Sequence, residues 1–284
     1  MTGEHARTRN DATLGTLEPF LVATPEHAEM FDLNPFGFAI AEANRIDPTR
    51  TAWAGFLDRL GTLDALTFGP EGMPMPRWLF HDASAIPGAI VGFAARAEGL
   101  APPLLERLRL GADASGLVPL SMFIAIPVVP PTVWYGHNLA SLNRQLPELS
   151  LGGLASITKA VGLRCVRCDT QIGATQWASN ALHVHAKLGV LELLTAWTPA
   201  HADPATLTYR VAISDTGLRV ALGDPVAVSP PRPDATMHVG THDTDAMRAL
   251  QARIEAGERL AIVGPPRTGD DGRVRVPVSP LPAA

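Results

Sequence analysis

Lysine is nearly missing from this chain: its 284 residues hold two, Lys159 and Lys187, against 21 arginines. Arginine serves a solvated surface as well as lysine does. It cannot stand in where an amine must lose its proton, because a guanidinium stays charged at any ordinary pH. Cysteine is equally scarce. Two residues, Cys165 and Cys168, exclude a disulfide framework and point to a reducing compartment, the cytoplasm. A basic excess is lacking too: the formal net charge is −5, and no basic run is interleaved with aromatics, so no nucleic-acid partner is expected. Nothing reads as a membrane span. The stretch from Ala114 to Asn143 has no charged side chain, but Pro119, Pro127, Pro130 and Pro131 interrupt it, and a spanning helix needs about twenty predominantly apolar residues in a row. The N-terminus from Met1 to Leu14 is polar and of mixed charge, without a secretory pattern. There is no Gly-x-Gly-x-x-Gly after a strand and no Walker loop, so no cofactor is expected.

What is present is apolar. A 46% apolar and 18% charged composition describes a well-packed globular protein, long enough to bury a substantial core. Its 26 prolines and 25 glycines punctuate the chain into short elements and favour β-rich or mixed structure. A loose tail is expected over 1–17, one globular domain over 18–264, and an irregular tail over 265–284. Within the domain, 18–76 reads as helical, 77–229 as a β-rich core, and 230–264 as a closing helix and strand. Thr24-Pro25-Glu26 and Asp47-Pro48 are helix starts. Trp53, Phe56, Leu57 and Leu60 recur at helical spacing and predict a helix ending at Gly61. Pro102-Pro103 opens a helix through Leu110, and Leu154, Ile157 and Val161 mark another that Gly162 ends. Strands are expected over 77–80, 89–95, 117–129, 164–168, 181–186, 190–197 and 206–213. Leu218, Val220 and Leu222 extend the period-two pattern. Thr244-Asp245 caps a last helix, closed by Gly257. The fold class is α+β with a largely antiparallel sheet and flanking helices, a closed barrel being one form it could take.

Lys159 is flanked by Ile157, Thr158, Ala160 and Val161. An amine in apolar surroundings loses its charge more readily and can attack a carbonyl carbon to form a Schiff base. The plainer reading is a lysine on the exposed side of a helix. Lys187 follows His183 and His185 at period two, so on a strand the three would share one face, where they could tune an amine or bind an anionic substrate. A solvated turn lysine is the alternative. His183 and His185 also make a two-ligand start for a metal, with His137 or His201 as a third ligand. Arg96 and Glu98 end a strand and could clamp a substrate carboxylate and relay a proton. His137, Gln176 and Trp177 are typical pocket-lining groups at strand ends. The Cys165-Val166-Arg167-Cys168 spacing fits two buried thiols better than a redox or zinc site.

Three segments together resemble the acetoacetate decarboxylase superfamily. They are Gly88–Phe93 followed by Pro102–Leu105 and a long apolar strand, then Thr158-Lys159-Ala160-Val161-Gly162, then Gly189–Ala196. The resemblance implies a cone-like β-barrel with Lys159 as the Schiff-base residue. It departs from the family at Ala160, where a second lysine usually stands, so Lys187 or Arg164 would have to lower the pKa of Lys159 through space. The expectation is therefore a lyase-type enzyme acting on a small oxo-acid or related carbonyl compound, by decarboxylation, aldol or dehydration chemistry. A metal-dependent hydrolase or lyase using His183 and His185, and a non-enzymatic small-molecule binding barrel, are the alternatives. The expected partner is a small-molecule substrate. No membrane partner is expected, and homo-oligomerisation is left open.

Overall fold

The computed structural model describes residues 15–86, 88–229 and 231–282. The expected N-terminal tail lies, as far as residue 14, outside the described residues. The chain divides into two compact units, Met1–Ile126 with Asn138–Arg167, and Pro127–His137 with Cys168–Ala284.

Unit 1 runs through β1 (Glu18–Val22), α1 (Pro25–Ala28), β2 (Arg45–Ile46), α2 (Ala54–Phe68), α3 (Trp78–Ala85), β3 (Ala89–Arg96), α4 (Pro102–Arg107), β4 (Leu117–Val129), β5 (Val133–Ser141) and α5 (Leu154–Cys165). The outer ends of β4 and β5 belong to unit 2. Strand order is β2-β1-β3-β4. The β1–β2 pair is parallel, and β1–β3 and β3–β4 are antiparallel. Every residue of β3 from Ala89 to Ala95 is buried, as a strand covered on both faces requires. Gly92 permits this closeness, because a Cβ there would run into the Ser121 carbonyl and the Phe20 ring.

Unit 2 continues with β6 (Thr170–Gln176), α6 (Ala181–Leu188), β7 (Leu191–Thr195), β8 (Thr206–Ala212), α7 (Asp215–Leu222), β9 (Met237–Gly240), α8 (Thr244–Glu255), β10 (Leu260–Ile262), β11 (Arg267–Thr268) and β12 (Val274–Pro280). Its strands follow the order β5-β6-β8-β7-β10-β12-β11, with β9 also on β12. The β5–β6 ladder is parallel, from Val133↔Thr170 to Gly136↔Gly173. The other ladders of the unit are antiparallel. Parallel neighbours need a crossover, and the chain between β5 and β6 carries α5. Helix α7 is capped by Ser214, whose hydroxyl accepts from the Gly217 amide, and α8 by Asp243, whose carboxylate accepts from the Ala246 amide.

The α+β class stands, but the barrel does not. Within each unit no ladder among the described residues joins the two ends of the strand order, so the sheets are open. Other corrections share one cause. Residues 77–80, 181–186 and 218–222 lie in the helices α3, α6 and α7, and 164–168 covers the end of α5. Each is a short apolar run, in which period two and period 3.6 are hard to separate. Gly61 and Gly162 do not end their helices. At Gly162 a Cβ would stand 2.6 Å from Cδ1 of Phe123, so the glycine serves the close approach of α5 to β4. The segment beyond 264 is not irregular, since it carries β11 and β12, and Val276 and Val278 are fully buried. No helix among the described residues is long and apolar enough to cross a membrane.

Candidate functional site

The most chemically equipped surface of unit 2 is the face of β6 and β8 that turns inward. Strand β6 alternates strictly, with Gln171, Gly173 and Thr175 buried. Its partner β8 buries Leu207, Tyr209 and Val211, and Gly173 lies directly across from Tyr209. With no side chain at 173, the Tyr209 ring fills the space. A Cβ there would sit 2.6 Å from the Tyr209 hydroxyl and 2.7 Å from Cζ.

Helix α6 covers this phenol. Its buried residues Leu182, His185, Ala186 and Leu188 form one stripe at helical spacing. The stripe sets the His185 imidazole against the Tyr209 ring, with centroids 5.2 Å apart and planes tilted by 34°. His185 is 6% exposed and Tyr209 1%. Burial drives the Tyr209 phenol far above the ordinary tyrosine range, Tyr135 adds to that, and a hydrogen bond with Gln171 opposes it. The Tyr209 hydroxyl therefore holds its proton at neutral pH. Gln171 is itself 1% exposed, and its Oε1 has no hydrogen-bond partner among the described residues. An orphaned buried acceptor costs about 1–3 kcal/mol, which makes this an expensive place to keep an amide. An imidazole, a protonated phenol and an amide thus converge beside the parallel β5–β6 ladder.

The residues expected from the sequence scatter. His185 belongs to this cluster. His183 and Lys187 do not, because α6 is a helix and positions two apart diverge; both are exposed. The two-histidine metal start falls for the same reason, and no group of three or more His, Cys, Asp or Glu side chains is arranged to hold a metal among the described residues. His137 follows Gly136, which pairs with Gly173, so alternation turns it to the opposite sheet face. There it is exposed and lies edge-on to Tyr135, with centroids 6.0 Å apart. Trp177 is fully buried, its Nε1 donating to the Ala196 carbonyl at 2.8 Å, and Gln176 is half-buried at the end of β6.

In unit 1, the fork of Arg96 is filled by Glu18, through bonds of 2.5 and 2.8 Å. Glu98 accepts from the Gly116 amide. Both side chains are thus engaged by partners within unit 1. Lys159 is fully buried in α5, so the plainer reading of a lysine on the exposed side of a helix does not hold. Cys165 and Cys168 are both buried and form no disulfide. Burial above all, with Asp32 adding, pushes the Cys165 thiol up to about 12, which leaves it inert as a nucleophile.

Sequence reasoning missed Tyr209 and Gln171. One signal was available: tyrosine is as rare as lysine here, with Tyr135 and Tyr209 the two in the chain.

No family model matches the chain, and no curated protein does. Among solved structures it is similar to an aminoglycoside 6'-acetyltransferase type Ii, at 16% identity over 60% of this chain and 95% of that one, with a TM-score of 0.36. It is also similar to the aminoglycoside 6'-N-acetyltransferase from Enterococcus faecium, at 13% identity over 84% of this chain and 97% of that one, with a TM-score of 0.29. The lyase expectation is corrected on the fold: the resemblance behind it implied a closed barrel, and the sheets are open. At these scores neither likeness carries a substrate or a set of site residues to this chain.

Proposed function

We propose that the chain is an acyltransferase that moves an acyl group from a thioester carrier to the amine of a small molecule. The observation that carries the reading is the buried His185–Tyr209 pair beside the parallel strands of unit 2. In such a reaction the amine nitrogen attacks the thioester carbonyl carbon. A C–N bond forms, the C–S bond breaks, the amine gives up a proton, and the leaving thiolate takes one. The His185 imidazole suits the first transfer. A phenol that burial keeps protonated suits the second. Coenzyme A thioesters, as common acyl carriers, are the first donors to try. Amino sugars are the first acceptors, in line with the aminoglycoside substrates named for the two acetyltransferases.

The test is release of free thiol from acetyl-coenzyme A over a panel of aminoglycosides and simple amines, with calorimetric titration of coenzyme A in parallel. The expected result is saturable thiol release that Tyr209→Phe and His185→Ala each slow by about 100-fold or more. Absence of both thiol release and coenzyme A binding by the folded protein overturns the reading.

A further inference from the structure

Unit 2 holds a cavity of about 460 Å³, and neither His185 nor Tyr209 is among its lining residues. Ala186 and Lys187 of α6, the 232–235 loop, His238, the end of β10 and Arg267 of β11 are among its lining residues. Its volume is that of a small-molecule site. Part of its wall is apolar, from Val220, Val263, Pro265 and Pro277. Its lining carries the basic side chains Lys187, Arg232 and Arg267, and Asp234 as its carboxylate.

Arg232 is the centre of this site. Its guanidinium is pinned by the Ala186 carbonyl at 2.6 Å and the Val263 carbonyl at 3.5 Å. Of the five N–H donors on a guanidinium, these bonds use two. No carboxylate among the described residues makes an ion pair with it. Half-burial lowers its pKa, the mark of a cation that has lost water without gaining a counter-charge. A half-buried guanidinium held rigid by main-chain carbonyls, with donors to spare, suits an oxyanion. Carboxylate neighbours normally fill such forks in this chain, as Glu18 does for Arg96 and Glu192 for Arg210 and Arg259.

We infer that this cavity binds the oxyanion group of a small molecule, carboxylate or phosphate, with Arg232 as the anchoring residue, Arg267 and Lys187 on the rim, and the valine and proline wall against the apolar body. The site is separate from the His185–Tyr209 pair and does not depend on the acyl-transfer reading.

The probes are benzoate and inorganic phosphate, each titrated calorimetrically into the full chain at constant ionic strength. Saturable one-to-one binding of either supports the proposal. Benzoate alone identifies a carboxylate with an apolar body, and phosphate alone a phosphate-bearing ligand. Arg232→Gln should weaken binding about tenfold, and Arg267→Gln about threefold. Arg248→Gln, a surface arginine stacked on Trp197 at 4.7 Å, should leave it unchanged. Should Arg232→Gln fail to fold, the rim variant decides. Lack of saturable binding of both probes overturns the inference, as does equal weakening by Arg248→Gln or unchanged affinity in Arg267→Gln.

Discussion

The two units bury their sheets differently. In unit 1, β3 runs as an unbroken apolar strand, and its glycine is pressed against main chain: a Cβ at Gly92 meets the Ser121 carbonyl. In unit 2, the corresponding close approach is made by a polar side chain, since Gly173 faces the Tyr209 hydroxyl and Gln171 lies two residues along the same face. Both units keep polar groups inside: unit 1 encloses Lys159 and Asp64, and unit 2 Gln171 and His185 beside Tyr209. What unit 2 adds is an imidazole set against a protonated phenol, whereas the buried lysine on which the Schiff-base expectation rested lies in unit 1.

The contrast can be broken by adding one methyl group to each unit. Gly92→Ala should destabilise the protein by about 3 kcal/mol, because its obstacle is backbone that cannot step aside; urea unfolding measures this, and a loss below about 1 kcal/mol would erase the distinction. Gly173→Ala should cost less, about 2 kcal/mol, because a side chain can yield. Combined with Tyr209→Phe it should show a coupling of about 1 kcal/mol in a double-mutant cycle. Strict additivity would mean that the phenol does not set the spacing.

Ion pairing sharpens the comparison further. Glu192 in unit 2 takes two arginines, Arg210 at 2.8 and 2.9 Å and Arg259 at 2.9 and 3.2 Å. The hydrogen bonds from Arg210 first, and Arg259 next, hold its carboxyl at about 2 against an ordinary 4.5. A depressed carboxyl stabilises the fold above its ordinary value and loses that contribution as pH falls. Glu192→Gln should thus cost about 1–2 kcal/mol at neutral pH, allowing for screening of the partly exposed arginines. The gap from wild type should close as pH drops from 4.5 towards 2; a gap independent of pH contradicts the assignment. In unit 1, Arg96 and Glu18 form a more exposed pair, with side chains 49% and 33% accessible. Arg96→Ala should therefore change the unfolding midpoint little, by about 0.5 kcal/mol. A loss as large as that at Glu192 would show that unit 1 leans on its surface pair more than its geometry suggests.

Much of the fold was legible where pattern was long. The 117–129 strand and the alternation of 206–212 are found where periodicity put them, and the last helix starts at Thr244, although Asp243 and not Thr244 caps it. Short apolar runs were not legible. Residues 181–186 read as a strand because His183, His185 and Lys187 alternate, whereas Leu182, His185 and Ala186 carry the helical stripe that decides. Of the site, His185 was legible as an unusual residue but was assigned the wrong neighbours. Tyr209 and Gln171 were hidden, because a residue on a half-buried strand does not announce which helix will cover it.

By itself the sequence determined what depends on composition and local period: an α+β class, buried thiols, no pattern for a membrane span, and strands wherever a run was long enough to show its repeat. Tertiary structure decided the rest, because it turns on which groups are brought together and deprived of water. It left the sheets open, sealed Lys159 within α5, set His185 against Tyr209, and left Arg232 half-buried with no ion pair among the described residues.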